Sequence, residues 1–125
     1  MATLTLTRDA LESTINDNPI LIIDFWASWC GPCLRFAPTF ESASETHSDI
    51  CFAKVDTEAE QELAGMFGVR SIPTLAVFRD GILIYKEAGA LPPAAFEQLI
   101  TQVRGVDMDD VRKQMEAQEK SDDKA

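Results

Sequence analysis

Threonine and leucine alternate along residues 3–7, and a polar–apolar period of two predicts a short strand. Ala10, Leu11 and Ile15 then share one face of a brief helix, which Thr7 can cap and Asn18-Pro19 ends. Residues 20–26 are apolar except for Asp24, the pattern of a strand covered on both faces. Small and turn-forming residues follow. From Cys33 to Ser44 the apolar side chains Leu34, Phe36, Ala37 and Phe40 recur at helical spacing. Pro38 is expected to bend that helix, because it lacks a backbone donor.

Residues 50–56 read as a second buried strand. Thr57-Glu58-Ala59-Glu60 has the order of a capping box, opening a helix with Leu63, Met66 and Phe67 inward and Gly68 as its stop. Strands over 74–79 and 82–87 flank Asp80-Gly81, a strong hairpin turn. Pro92 and Pro93 suit the first turn of a helix with Phe96, Leu99, Ile100 and Val103 on one face. The order β-α-β-α-β-α-β-β-α predicts an α/β fold, a mixed sheet packed between helices.

Composition changes after Gly105. Residues 106–125 hold seven acidic and four basic residues and no aromatic one. A domain over 1–105 therefore carries an acidic extension over 106–125, expected to be a weak helix or a disordered tail. Val111 and Met115, four apart, could pack there as an extra helical turn.

With 125 residues, 46% of them hydrophobic, the chain can build one domain around a real core. Eleven basic against 21 acidic residues leave a formal charge of -10. Such a surface repels phosphate backbones and anionic lipid, so neither nucleic acid nor membrane is expected as a partner. The first residues show no basic stretch leading into an apolar one, and no apolar run is long enough to span a bilayer. A cytoplasmic monomer is the expectation. Three cysteines in a reducing compartment suggest redox chemistry, metal binding or packing, and not a structural disulfide framework.

Trp29-Cys30-Gly31-Pro32-Cys33 falls where the first buried strand turns into a helix. A cysteine at a helix opening faces unpaired backbone N–H groups and the positive end of the dipole. Both favour thiolate over thiol, so the Cys30 pKa is expected below the free value of about 8.5. Cys33 follows about one turn later, within bridging distance, and Pro32 fixes φ where a backbone donor would be idle. Such a pair can attack a disulfide through one sulfur and release product through the other. Asp24 interrupts an apolar run; burial there raises its pKa and makes it a proton store near Cys33.

These residues, with Asp24-Phe25-Trp26 before them and Ile72-Pro73-Thr74 after, closely resemble the thioredoxin family over residues 3–104. The resemblance implies the thioredoxin fold, with a central mixed five-stranded sheet flanked by helices on both faces. It implies a protein-disulfide reductase that binds no cofactor. Its electrons would come from NADPH through a flavin-containing thioredoxin reductase, and its clients would be proteins with disulfides. Gly31 and Pro32 resemble the dipeptide of the family's reducing members. Asp24 matches a residue thought to help deprotonate the buried cysteine with a nearby lysine, the place that Lys54 fits. Pro73 resembles the family's cis-proline, which with Ile72 holds an extended client strand. Gly89 and Ala90 look like the opposite wall of that groove, and Trp29 its exposed apolar face; Trp26 is assigned to the core. Leu34 stands where many members carry a basic residue and Ser71 where glycine is common, departures that bear on partner choice.

Two other readings compete. Cys30, Cys33, His47 and Cys51 have the spacing C-x2-C-x13-H-x3-C, which could bind zinc. Against it, the core needs no metal, and Cys51 falls in a strand as a small packing group. The second is a binding module, an adaptor or chaperone that docks through its tail. Retention of both cysteines argues against binding alone.

Overall fold

The structure, a computed structural model, describes residues 2–123; Met1 and the last two residues of the acidic extension lie outside them. Its five strands are β1 (Thr3–Thr5), β2 (Ile20–Trp26), β3 (Cys51–Asp56), β4 (Thr74–Arg79) and β5 (Ile82–Ala88). They form one sheet in the order β1-β3-β2-β4-β5. β3 runs parallel to both β1 and β2, while β4 is antiparallel to β2 and β5 to β4. This is the thioredoxin fold, with a mixed sheet and helices on both faces.

β2 explains why the run of apolar residues was continuous. Its alternate side chains serve two cores. Ile20 and Ile22 join Phe36 and Phe40 of α2 (Gly31–Thr46) and Phe96, Leu99, Ile100 and Val103 of α4 (Pro93–Arg104). Leu21, Ile23 and Phe25 face the other way, onto Leu11 of α1 (Leu11–Asp17) and Leu63 of α3 (Gln61–Met66). In the first core Phe40 is fully buried, with its ring centroid 5.3 Å from Phe52 and 5.9 Å from Phe36 and from Phe96. Successive side chains of a strand alternate faces, so Asp24 and Trp26 belong to the α2 side.

Several local expectations need correction. β1 ends at Thr5, and Thr7 makes no side-chain cap; a 3₁₀ turn, Arg8–Ala10, precedes α1. The capping box does not form. The Thr57 hydroxyl donates to the Trp26 carbonyl at 3.1 Å, and α3 begins only at Gln61. Leu34 and Met66, placed inward by helical spacing, are exposed, and Trp26 is only half-buried. α2 continues through Pro38. The Leu34 carbonyl, deprived of its usual donor, belongs to an exposed residue, so water can serve it.

The stretch after Gly105 forms α5 (Met108–Asp123). Met108 is buried, and Arg112 pairs with Asp80 at 3.2 Å, at the β4–β5 turn. Arg79 donates to the carbonyls of Val103 and Val106 at 2.8 and 3.0 Å, tying the α4–α5 connection to β4. Asp80 in turn donates to Pro19, just before β2. α5 is therefore anchored at the start of β2, whereas the cysteine pair follows its end, about 20 Å away at about 3.3 Å per residue.

Candidate active site

β2, the central strand, ends at Trp26, residues 27–30 turn the chain, and α2 starts at Gly31. Cys30 is the N-cap of α2. Its backbone is extended, and its Sγ accepts from the Cys33 backbone N–H at 3.2 Å. The side chain thus takes the place that a serine or aspartate oxygen takes in an ordinary cap, facing the idle donors of the first turn. Pro32 occupies that turn without wasting a donor.

Cys30 and Cys33 are joined as a disulfide, with Cα atoms 5.2 Å apart. Both are buried and pack with Ala27, Trp26 and Ile72. Cys30 Sγ lies 3.7 Å from the Ile72 carbonyl oxygen. The Ile72–Pro73 bond is cis. Gly89, at φ 121°, donates its N–H to the Pro73 carbonyl at 2.8 Å, and Gly89 and Ala90 are exposed beside that loop. Only glycine adopts that φ readily, so the contact depends on residue 89. The backbone of Ile72, Pro73 and Gly89 is thereby brought to the cysteine pair or to its neighbouring loop.

Asp24 is wholly buried in β2, beside Lys54 in the β2–β3 register. Neither carboxyl oxygen has a hydrogen-bond partner among the described protein groups. Burial pushes its pKa up to about 7; Lys54 pulls it down and Glu41 opposes that pull. The Lys54 ammonium lies 4.7 Å from the centre of the Trp26 ring and 3.9 Å from Glu41 Oε1. Glu41 also accepts from the Thr3 hydroxyl, at 3.1 Å.

A hollow of about 310 Å³ opens beside the pair, lined by Trp29, Thr57, Ala64, Val69, Arg70, Ser71 and Ile72. Trp29 is 68% exposed, and its indole N–H donates to Glu58 Oε1 at 2.8 Å. Sequence reasoning missed Glu58, Arg70 and Glu41, for their places depend on contacts between loops and elements distant in the chain. No periodicity marks them.

The zinc reading finds no support in geometry. Cys30 and Cys33 engage one another, while His47 sits between Glu97 at 2.8 Å and Arg104 at 3.0 Å. Cys51 packs against the opposite core and is half-buried, less enclosed than its place in a strand suggested. Among the described residues no three His, Cys, Asp or Glu side chains converge to hold a metal. No helix among them is long and apolar enough to cross a membrane.

Comparison with known proteins places this arrangement. A family model described as Thioredoxin matches residues 2–102. The chain is 48% identical over 118 residues to a protein named putative thioredoxin 2 from Streptomyces coelicolor, covering 94% of this chain and 88% of that one. A stretch of that span ends beyond Gly105, so the likeness includes part of α5. Thioredoxin from Bacillus subtilis is 36% identical over 101 residues, 80% of this chain and 96% of its own. Among solved structures, oxidised mitochondrial thioredoxin 3 from Saccharomyces cerevisiae superposes with a TM-score of 0.74 at 34% identity, covering 80% of this chain and 94% of that one.

Proposed function

The chain belongs to the thioredoxin family of protein-disulfide oxidoreductases, and from that premise we propose that it works as a reductase of protein disulfides. The observation that carries this reading is the Cys33 N–H directed at Cys30 Sγ at 3.2 Å from the mouth of α2. In the reduced protein the same donor and the helix dipole stabilise a Cys30 thiolate. That thiolate attacks one sulfur of a client disulfide. A mixed disulfide forms between Cys30 and the client, and the client's other sulfur leaves as a thiolate that takes a proton from water. Cys33, as thiolate, then attacks Cys30 Sγ. The Cys30–Cys33 disulfide forms, the second client thiolate is released, and two electrons have passed to the client.

Cys33 must shed its proton for the second step. Asp24, raised to about 7 and on the α2 side of the sheet, serves as its acceptor, with Lys54 favouring the ionised carboxyl. The client strand lies along Ile72, Pro73, Gly89 and Ala90 by main-chain pairing, with Trp29, Gly31 and Pro32 as its apolar floor. NADPH restores the dithiol through a flavin-containing thioredoxin reductase; no cofactor need reside in this chain. A reducing compartment such as the cytoplasm suits such a monomeric carrier.

The test is NADPH-coupled reduction of insulin by the full chain with a thioredoxin reductase. Turnover is expected, with loss of all activity in Cys30→Ser and covalent trapping of client on Cys30 in Cys33→Ser. A Cys30→Ser protein that still turns over would overturn the assignment.

A further inference from the structure

Lys54 has two carboxylates beside it and is paired with one. In the β2–β3 register it is the neighbour of Asp24, on the same face of the sheet, yet neither Asp24 oxygen has a partner among the described protein groups. The ammonium is drawn instead towards α2. There it lies 3.9 Å from Glu41 Oε1, with the centre of the Trp26 ring 4.7 Å away. Glu41 is itself held, for the Thr3 hydroxyl of the edge strand β1 donates between its two oxygens, at 3.1 and 3.2 Å. The Glu41 side chain is 28% exposed and keeps water, whereas Asp24 is wholly buried. A cation suits the solvated carboxylate better, because pairing with Asp24 would strip water from two charges. The charges that act on Asp24 are those of Lys54 and Glu41. β4 sets Leu75 opposite it, and α2 carries Cys33, the source of the proton. Asp56, two residues along β3 from Lys54, already accepts from the Glu58 N–H at 2.9 Å.

We propose that Glu41 is a positioning residue for the resolving step, holding the Lys54 ammonium on α2 and away from Asp24. The proposal rests on the reductase reading above. A carboxylate paired directly with an ammonium is a weaker base and would take the Cys33 proton poorly. With Lys54 held off, Asp24 keeps the pKa of about 7 that burial gives it, and it accepts a proton near neutrality.

The carboxyl carbon resonance of Asp24, assigned with Asp24→Asn, reports its titration in the oxidised full chain. In Glu41→Gln the released ammonium turns to Asp24, and the midpoint is expected to fall by about one pH unit. In a Lys54→Met background, with no ammonium to release, Glu41→Gln is expected to produce a markedly smaller fall. The acid limb of kcat for insulin reduction is expected to move to lower pH with the carboxyl titration, a change that lost packing alone would not produce. An unmoved midpoint in Glu41→Gln would overturn the proposal. So would equal falls in the two backgrounds, which would assign the effect to the Glu41 charge acting on Asp24 directly. A kcat profile that stays in place while the carboxyl midpoint moves would overturn it too. Failure of the wild type to reduce insulin would instead sink the reductase reading, and the carboxyl titration would still decide whether Glu41 holds Lys54 off.

Discussion

Replacing Asp24 by asparagine is expected to abolish the steepest pH dependence in the stability of the oxidised protein. Asp24 has an ordinary carboxyl value of 3.8 in the unfolded chain and about 7 in the fold, where burial without hydrogen-bond partners disfavours the charge. Below pH 3.8 both states hold the proton and burial of the neutral acid carries no ionisation penalty. Between 3.8 and 7 the folded state keeps a proton that the unfolded chain has released, so stability falls as pH rises. Above 7 both states have lost it, and the whole penalty remains. At about 1.4 kcal/mol per pH unit the interval amounts to about 4 kcal/mol, a large share of a domain's stability of roughly 5–15 kcal/mol. Asparagine is nearly isosteric and does not ionise. The stability difference between Asp24→Asn and wild type should therefore grow in favour of the variant by about 4 kcal/mol from pH 4 to pH 8 and then level off. Urea unfolding of both oxidised proteins at each pH measures it, with equal m-values as the check on two-state behaviour. Lys54→Met, which removes the opposing attraction, should displace the wild-type profile to higher pH. Parallel profiles for wild type and Asp24→Asn would refute the reasoning.

Phe40→Ala removes a ring packed against three others at the centre of the larger core, and is expected to cost about 3–5 kcal/mol in chemical unfolding. A loss well below that would mean the aromatic cluster is not packed as described. Cys51 packs against the core away from the cysteine pair, so Cys51→Ser should leave insulin turnover intact; burial pushes its thiol up, so in the reduced wild type it should be alkylated more slowly than Cys30 at neutral pH; peptide mapping after timed alkylation checks this. Truncation after Gly105 uncovers the site of Met108 and removes the Arg112–Asp80 pair far from the cysteines. It should lower stability by about 1–3 kcal/mol in denaturant titration and spare insulin turnover; a loss of turnover with the fold intact would bring α5 into the chemistry.

Much of the fold was legible because burial leaves a period. β2 reads as continuous apolar sequence since its two faces feed two cores, and α4 reads as a stripe since only one of its faces is covered. The Asp80-Gly81 turn was legible too, as both residues adopt positive φ, at 53° and 82°. Errors arose where local grammar had a competitor. Thr57 has the chemistry of a cap, but the Trp26 carbonyl takes its hydroxyl first. Leu34 lies two residues from the buried Phe36, about 200° round the helix, and so on the outer side of α2, while Met66 is the last residue of α3, past the buried Leu63 and Ala64. In the site, the two cysteines and Asp24 were legible from a motif and from a charge out of place. Glu58 and Glu41 were not. Each acts across a distance of 29 or 38 residues in the chain, on Trp29 and Thr3 respectively, and such pairings are written only in the fold.

Disulfide exchange in this protein depends on Cys30 being a stabilised anion at the mouth of α2. The most direct test is the thiolate absorbance of the reduced protein followed across pH, with Cys30→Ser to assign the transition. One thiol, absent from Cys30→Ser, should titrate below the free value of about 8.5, with Cys33 ionising later. Two thiols that both titrate at or above that value, unaffected in the lower transition by Cys30→Ser, would contradict it.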